Sequence, residues 1–346
     1  MSGQAGGSLR RSLSPWLVPA IGYLISIASL VWVYWGFDWK TELPRLARAD
    51  WRWVALAVFC DILVYFIQGW RWSLLLRPLA NAGFFRSVQS IFIGLLANEV
   101  LPLRSGEVIR GYVQAKWVRL PFSKVLSSIA IERLFDGAIL TFGFYLATLY
   151  VETPGFLRDI SFTLTLIVVA AAGLVALAVF KKSHAHAAVS RSRWAAALRH
   201  VVEGLHEMGR SRWFATSAAV SVLYFSLQVA PFYALMRAYD LGLSLGAAAV
   251  VLVIVRLGTV IPQGPGNVGG FQFFTVAGLL LFGLNKADAA NFATAMFVVI
   301  TVPLWLGGAV AAALAGVRLR DLQRRANRKL QEVSPIQGTQ TGPPKA

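Results

Sequence analysis

Long apolar runs recur along the chain, and short polar connections separate them. A membrane core of about 30 Å needs roughly 20 apolar residues of helix to cross it. Six runs predict membrane-spanning helices over residues 16–36, 51–72, 121–151, 161–180, 213–236 and 289–317. Two further apolar stretches are too short to cross and stop abruptly. The pattern therefore predicts an all-α polytopic membrane protein with about six full spans and two broken, re-entrant helical hairpins.

Both broken hairpins contain a stretch rich in polar and helix-breaking residues. The first break, residues 98–110, is Asn-Glu-Val-Leu-Pro-Leu-Arg-Ser-Gly-Glu-Val-Ile-Arg. The second, residues 261–270, is Ile-Pro-Gln-Gly-Pro-Gly-Asn-Val-Gly-Gly. Irregular backbone is tolerated inside a membrane only where protein buries it or where it borders a polar cavity. Two such breaks in corresponding places indicate a binding site between them.

The order of spans and breaks is the same in both halves of the chain. Residues 16–151 contain span, span, broken hairpin and span, and residues 160–317 repeat that order from the opposite side of the membrane. This predicts inverted-topology repeats, with which transporters expose one midplane site to either side. The remaining pieces are a short N-terminus (1–15), a polar connection with an amphipathic segment (181–212), and a basic tail (318–346) predicted to be disordered.

The charge distribution predicts the orientation. The chain is 57% hydrophobic and 14% charged. With both termini in the cytoplasm, the cytoplasmic pieces hold 24 lysine and arginine residues and the opposite side holds seven. Because basic loops stay on the cytoplasmic side, this placement is favoured. The net charge of +17 is explained by these loops and by attraction to anionic headgroups, so nucleic acid is not expected as a partner.

The second predicted span carries the same tripeptide at each end. Trp51-Arg52-Trp53 begins it and Trp70-Arg71-Trp72 ends it. Tryptophan prefers the membrane interface, and arginine extends its charge beyond it. The pattern predicts a helix anchored at both membrane surfaces.

Cysteine and histidine offer no metal or redox chemistry in the membrane region. The single cysteine, Cys60, excludes an intramolecular disulfide and a cysteine-based metal site. All four histidines lie in the polar connection, where His184 and His186 fit a solvated linker better than a metal site. We therefore expect no metal and no cofactor. The apolar run after Arg11 has no clear cleavage site and is predicted to remain as an anchor.

Ionisable side chains inside membrane helices are costly, which makes them the first candidates for function. Glu132 and Asp136 are four residues apart and share one helical face, and Arg256 lies on the limb that leads into the second break. Such groups could bind a lipid phosphate or a cationic headgroup, hold a proton, or simply pair to fix helix register. For Asp61, pairing explains the residue as well as function does. For Glu132, Arg133 and Arg256, their grouping around the breaks favours function.

The glycine-rich second break has two interpretations. Glycine permits tight turns and close backbone approach, and the N–H groups of a following half-helix suit an anion such as phosphate. The alternative is a tight re-entrant turn with no ligand. The stretch is not a nucleotide-type phosphate loop, because it has no Gly-Lys-Ser/Thr and no preceding strand.

Three motifs in this order resemble a known family. They are Asn98-Glu99-x-x-Pro102-x-Arg104-x-Gly106-Glu107-x-x-Arg110, Ile131-Glu132-Arg133-x-x-Asp136 and Pro262-x-x-Pro265-Gly266-x-x-Gly269. They resemble the transmembrane region of lysylphosphatidylglycerol synthases, including stand-alone flippase-like members, over about residues 16–317. The resemblance implies a lipid translocase of the bacterial cytoplasmic (inner) membrane, with these motif residues and Arg256 at the substrate-binding and translocation site.

This chain departs from the two-domain synthases of that family. There, a soluble C-terminal domain makes an aminoacylated lipid from aminoacyl-tRNA, and the membrane region moves that lipid across the bilayer. Here only about 30 residues follow the last predicted span, so we expect a stand-alone member. Stand-alone relatives have been linked to hopanoid lipids and to polyprenyl-linked glycosylation, so the resemblance leaves the substrate open.

The leading hypothesis is translocation of a phospholipid or other polar-headgroup lipid, anionic or polyprenyl-type, through a midplane site between the hairpins. Arg104, Arg110 and Arg256 would hold phosphate, and Glu132 and Asp136 would handle a cationic group or a proton. Two alternatives stay open. One is an intramembrane transferase acting on a lipid or polyprenyl phosphate, and the other is a non-transporting partner of a separately encoded lipid-modifying enzyme. A homo-oligomer is compatible with all three.

Overall fold

The computed structural model is all-helical in the part of the chain that it describes. Those residues are 17–101, 105–147, 159, 162–163, 165–173, 193–261, 263–316, 321 and 324. In chain order they form α1 (Leu17–Tyr34), α2 (Trp39–Ala47), α3 (Trp51–Leu76), α4 (Phe84–Val100), α5 (Gly106–Val118), α6 (Phe122–Ala147), α7 (Arg193–Gly209), α8 (Arg212–Ala238), α9 (Leu245–Gly258), a 3₁₀ turn (Pro265–Asn267), α10 (Gly270–Leu280) and α11 (Lys286–Leu314). A further helical stretch covers residues 165–173.

Three of the described helices are long and apolar enough to cross a membrane, namely α3, α8 and α11. Helix α6 has 26 residues, which is about 39 Å of helix at 1.5 Å per residue, but it carries several charged side chains. The all-α polytopic class predicted from the apolar runs is confirmed. The number of full spans stays a prediction.

The two broken hairpins are present as pairs of short helices that pack against each other. Their limbs α4, α5, α9 and α10 contain 17, 13, 14 and 11 residues. These lengths correspond to about 17–26 Å of helix, which is less than the thickness of the membrane core. Each limb is therefore shorter than a straight crossing of the membrane core, and the re-entrant course of each pair stays a prediction.

An amide side chain and a glycine close each hairpin at its tip. In the first, the Gly106 backbone N–H donates to Asn98 Oδ1 at 2.8 Å, and a Cβ at Gly106 would overlap the Gly94 carbonyl oxygen. In the second, Gln263 Nε2 donates to the carbonyl oxygen of Gly258 at 3.0 Å, and a Cβ at Gly270 would overlap the Gln263 side chain. At Gly106 the overlap is with backbone, so a side chain there would force the limbs apart. At Gly270 the overlap is with the end of the Gln263 side chain, which would have to move away.

The two halves of the bundle pack by the same pattern. Helices α3 and α8 face each other at the centre. Helix α4 of the first half contacts α11, and its counterpart α9 in the second half contacts α6. Likewise, α5 contacts α6, and its counterpart α10 contacts α11. Exchanging α3 with α8, α4 with α9, α5 with α10 and α6 with α11 thus reproduces these contacts. The packing agrees with two structural repeats, whereas their opposite orientation in the membrane stays a prediction.

Two amphipathic helices flank the spans. Helix α2 lies in the connection after α1, where no helix was predicted, and Asp38 caps it by accepting a hydrogen bond from the Lys40 N–H at 3.0 Å. Helix α7 covers the amphipathic segment that was predicted in the polar connection, and it packs on α6. The predicted N-terminus (1–15) and most of the predicted tail (318–346) lie outside the described residues.

Candidate functional site

A cavity of about 700 Å³ lies between the two hairpins. Hairpin one lines it with Asn98, Glu99 and Glu107, and hairpin two lines it with residues 263–267. Tyr23 of α1 and side chains of α3, α6, α8 and α11 supply the remaining walls. Its volume lies in the range of about 300–1,000 Å³ that is typical of small-molecule sites. The predicted juxtaposition of the two breaks around one cavity is therefore present.

The two hairpin tips touch each other at one edge of this cavity. Gly266 has a φ of +67°, and a Cβ built there would lie 2.6 Å from Glu99 Oε2. On the far side of hairpin two, Ser26 Oγ of α1 accepts a hydrogen bond from the Gly264 N–H at 2.9 Å. On the far side of hairpin one, the indole Nε1 of Trp305 lies 3.5 Å from Glu99 Oε2. Glycine at position 266 thus allows both the left-handed turn and the close approach of the tips.

Six charged side chains form a continuous network that joins hairpin one to α3 and α6. Its ion pairs are Arg110 Nη2–Glu132 Oε2 (2.9 Å), Glu132 Oε1–Arg71 Nη2 (3.0 Å), Arg71 Nη1–Asp136 Oδ1 (2.6 Å), Asp136 Oδ2–Arg133 Nη1 (3.2 Å) and Arg133 Nη2–Glu107 Oε1 (2.6 Å). Three guanidinium groups alternate with three carboxylates, so the network is formally neutral. Burial of charge is tolerated here because every ion faces an opposite charge.

Burial changes along the network. The side chains of Arg71 and Glu132 are fully buried, whereas those of Arg133 and Glu107 are 49% and 39% exposed. At the buried end, the Arg110 guanidinium carbon also lies 4.7 Å from the centre of the Trp72 ring. The exposed end lines the cavity, and the buried end lies behind the cavity wall. The network therefore has a structural end and an accessible end.

Arg71 is the site residue that the sequence analysis missed. The prediction that Trp70-Arg71-Trp72 anchors α3 at a membrane surface is wrong for Arg71 and Trp72, which are fully buried, whereas Trp70 is 41% exposed. Arg71 instead faces Glu132 and Asp136 on α6, and Trp72 Nε1 donates to Ser128 Oγ at 2.9 Å. The signal was present in the two carboxylates on one face of α6, which require a cation on a neighbouring helix.

Asp61 and Arg256 face the same cavity from different helices. Asp61 on α3 is only 7% exposed, and one turn further along the hydroxyl group of Tyr65 donates to the carbonyl oxygen of Ile300 at 3.4 Å. Arg256 near the end of α9 is exposed, lines the cavity, and donates from Nη2 to Gln228 Oε1 on α8. The two charges interact electrostatically, but neither takes part in an ion pair within 4 Å among the described residues. From the sequence, Arg256 could meet Glu132, Glu99 or a lipid phosphate. In the structure its side chain contacts Gln228, and binding of a lipid phosphate stays a prediction.

The predicted site residues divide into three groups. Those that line the cavity are Asn98, Glu99, Glu107, Arg133, Asp136, Arg256, Pro265 and Gly266. Those that support its walls from behind are Gly106, Arg110, Glu132 and Gly269. Pro102, Arg104 and Pro262 lie outside the described residues. Direct binding of substrate by any of these residues stays a prediction.

In the described part of the chain, no three histidine, cysteine, aspartate or glutamate side chains are grouped as metal ligands would be. The cavity is instead bordered by paired and single charges together with tyrosine and glutamine side chains. Such groups can hold an ionic headgroup by charge and hydrogen bonding.

These features define a multi-pass helical membrane protein in which two broken hairpins meet over a charged internal cavity. The chain belongs to the family described as the lysylphosphatidylglycerol synthase TM region, whose model matches residues 20–329.

Several curated proteins are similar to this chain. The glycosyltransferase AglD of Haloferax volcanii is 30% identical over 118 residues, which are 33% of this chain and 19% of AglD. A UPF0104 membrane protein of Methanocaldococcus jannaschii is 27% identical over 139 residues, covering 39% of this chain and 40% of that protein. A UPF0104 membrane protein of Methanothermobacter thermautotrophicus is 22% identical over 309 residues, covering 84% of this chain and 85% of that protein.

The similarity to AglD and to the Methanocaldococcus protein thus spans less than half the length of either relative. No solved structure matches the chain.

Proposed function

We propose that this protein translocates a polar-headgroup lipid across the membrane, with the headgroup passing through the cavity between the two hairpins. The observation that supports this most is the charged cavity itself, which is bordered by both hairpin tips inside the helix bundle. Ionisable groups are costly at that depth and are retained where a polar substrate or ion passes. We further propose a bacterial cytoplasmic membrane location with both termini in the cytoplasm.

The edge of the cavity lies close to the lipid-facing surface, as this function requires. Trp305, whose indole approaches Glu99, is 51% exposed, and Tyr23 of α1, which lines the cavity, is 48% exposed. Large exposed apolar side chains on helices of this kind contact lipid tails. A lipid could therefore place its headgroup in the cavity while its acyl chains remain in the bilayer.

The geometry supports a structural role for Arg110, to which the sequence analysis had assigned phosphate binding. Arg110 is committed to fully buried Glu132 and to Trp72, so it positions hairpin one. Arg133 and Arg256 are exposed to the cavity and are the better candidates for a lipid phosphate. Guanidinium groups suit phosphate because they donate two parallel hydrogen bonds.

The repeated packing of the two halves supports an alternating mechanism. The contact between Gly266 and Glu99 holds the two hairpin tips together at one edge of the cavity. Rocking one repeat against the other would separate the tips and expose the cavity to the other side of the membrane.

The experiment is lipid translocation in proteoliposomes, measured with headgroup-labelled lipids and a membrane-impermeant quencher. We expect wild type to accelerate translocation, Arg256→Gln to abolish the acceleration, and Arg237→Gln to leave it unchanged. Arg237 is a matched control because it is exposed near the end of α8, outside the cavity lining.

Wild type that accelerates no anionic, zwitterionic, cationic or polyprenyl lipid would contradict the proposal. Mass spectrometry of the same lipids would then show whether a transferase product forms, which is the result that the alternative enzyme function requires.

A further inference from the structure

We propose that Asp61 and Arg256 form a two-point site for a zwitterionic phospholipid headgroup, in which Arg256 binds the phosphate and Asp61 binds a primary ammonium group. The inference rests on the proposed function, since it names the class of headgroup that the cavity would carry. It assigns a binding role to Asp61, whose place in the sequence was explained equally well by simple pairing.

Asp61 is a buried carboxylate with an unused hydrogen-bond acceptor. It lies on the inner face of α3 and is only 7% exposed, yet it borders the cavity. Its Oδ2 atom is buried and has no hydrogen-bond partner among the described residues. Leaving a buried polar atom without a hydrogen-bond partner is unfavourable, and more so when the atom is charged. An ammonium group entering the cavity would supply the missing donor and the missing charge.

Arg256 offers the complementary half of the site. Its contact with the Gln228 side chain is with a neutral acceptor and leaves the positive charge uncompensated by any ion pair in the described chain. A guanidinium group carries five N–H donors, so one bond to Gln228 leaves donors for a phosphate. That same bond fixes the direction of the side chain, which lowers the entropy lost when a ligand binds.

The two charges are held apart rather than paired with each other. Asp61 lies on α3, and Arg256 of α9 is held by Gln228 on α8, which packs directly against α3. The carboxylate and the guanidinium are close enough to interact electrostatically but are not within 4 Å. A headgroup that carries both a phosphate and an amine offers each of these two separated groups an opposite charge.

Asp61 makes a purely anionic headgroup a poorer fit to the cavity than a zwitterionic one. Among the described residues that line it, Glu107, Arg133 and Asp136 already pair with one another in the formally neutral network. A purely anionic headgroup would meet Arg256 but leave Asp61 without a cation, whereas a zwitterionic headgroup meets both charges. A primary amine fits Asp61 better than a quaternary one, because only the primary amine can donate hydrogen bonds.

The test is binding of short-chain lipids to the purified full-length protein in detergent. The probes are dihexanoyl phosphatidylethanolamine, phosphatidylcholine and phosphatidylglycerol, which share acyl chains and differ in headgroup. We expect wild type to bind the ethanolamine lipid at least about tenfold more tightly than the other two, a difference of about 1.4 kcal/mol. Asp61→Asn should remove that preference, and Arg256→Gln should weaken binding of all three lipids.

Asp240→Asn is the matched control for loss of one carboxylate, because Asp240 is exposed in the turn after α8 and its φ of +50° is one that asparagine tolerates. It should bind like wild type. The ranking of the three lipids by wild type requires no variant, so it decides the matter even if Asp61→Asn fails to fold.

Wild type that binds the glycerol lipid as tightly as the ethanolamine lipid would overturn the inference, as would a folded Asp61→Asn that keeps the preference. These results are distinct from failure of the proposed function. A protein that binds the ethanolamine lipid selectively but moves none in proteoliposomes contradicts transport alone. A protein that moves lipids without regard to headgroup contradicts this site alone.

Discussion

Replacing Glu132 by glutamine tests whether the charged network holds the bundle together. Glu132 is fully buried and forms ion pairs with Arg71 at 3.0 Å and with Arg110 at 2.9 Å. Glutamine keeps the shape of the side chain but removes its charge, so the network changes from formally neutral to a charge of one positive unit. Arg71 keeps its pair with Asp136, whereas Arg110 keeps only its stacking on Trp72 among the described residues.

The position of an ion pair along the network sets the size of the effect. Removing one partner of a buried pair leaves an uncompensated buried charge and costs about 3–5 kcal/mol. Breaking an exposed pair costs only about 0–1 kcal/mol, because water solvates the charge that is left. Glu132 is fully buried and Glu107 is 39% exposed. We therefore expect Glu132→Gln to lose several kcal/mol of unfolding free energy and Glu107→Gln, the matched control, to lose little.

The assay is denaturant-induced unfolding in detergent micelles, followed by tryptophan fluorescence. Buried Trp72 lies next to Arg110 and reports on this region. The double variant Arg110→Gln/Glu132→Gln removes both charges of one pair, so it should be destabilised by less than the sum of the two single variants.

Equal unfolding midpoints for Glu132→Gln, Glu107→Gln and wild type would refute this reasoning, and so would simple additivity in the double variant. The outcome also governs how transport defects are interpreted. A loss of translocation in Glu132→Gln would then reflect a disturbed bundle, which makes Asp61 and Arg256 the sharper positions for testing function.

Two further predictions follow from the hairpin tips and from the charge distribution. Gly266→Ala adds a methyl group 2.6 Å from Glu99 Oε2, at a residue with a φ of +67°. Gly283 is the control, because its φ of +78° is similar but its added methyl group would meet nothing within 4 Å. We therefore expect Gly266→Ala to lose more stability than Gly283→Ala. Gly283→Ala should lose about 1–2 kcal/mol from backbone strain alone. If thermal unfolding shows equal losses of stability for the two variants, the hairpin tips do not press together at Gly266. In a cysteine-free background, a cysteine at Asp240 should react with a membrane-impermeant maleimide added to intact cells, and one at Ser8 should react only after lysis. The reverse pattern would overturn the predicted orientation.

Much of the architecture follows from local patterns in the sequence. Apolar run length predicts where helices lie, because crossing the membrane requires a minimum number of apolar residues in succession. The two breaks at 98–110 and 261–270 were visible for the same reason, since Pro, Gly and charged residues interrupt a helix wherever they occur. The same motifs carried the resemblance to the family that the comparison then confirmed over residues 20–329.

The partners of the charged groups depend on which helix faces meet, and no local pattern specifies that. Arg71 sits beside two tryptophans, which is typical of a membrane surface, but the packing of α3 on α6 and α8 buries it against Glu132 and Asp136. Because an ion inside a bundle is stabilised only by groups that come from other helices, its role is set by long-range packing. The sequence by itself determined the membrane class, the two breaks and eight of the residues that line the cavity. Only the tertiary structure separated the neutral charge network from Asp61 and Arg256, which face the cavity without an ion-pair partner among the described residues.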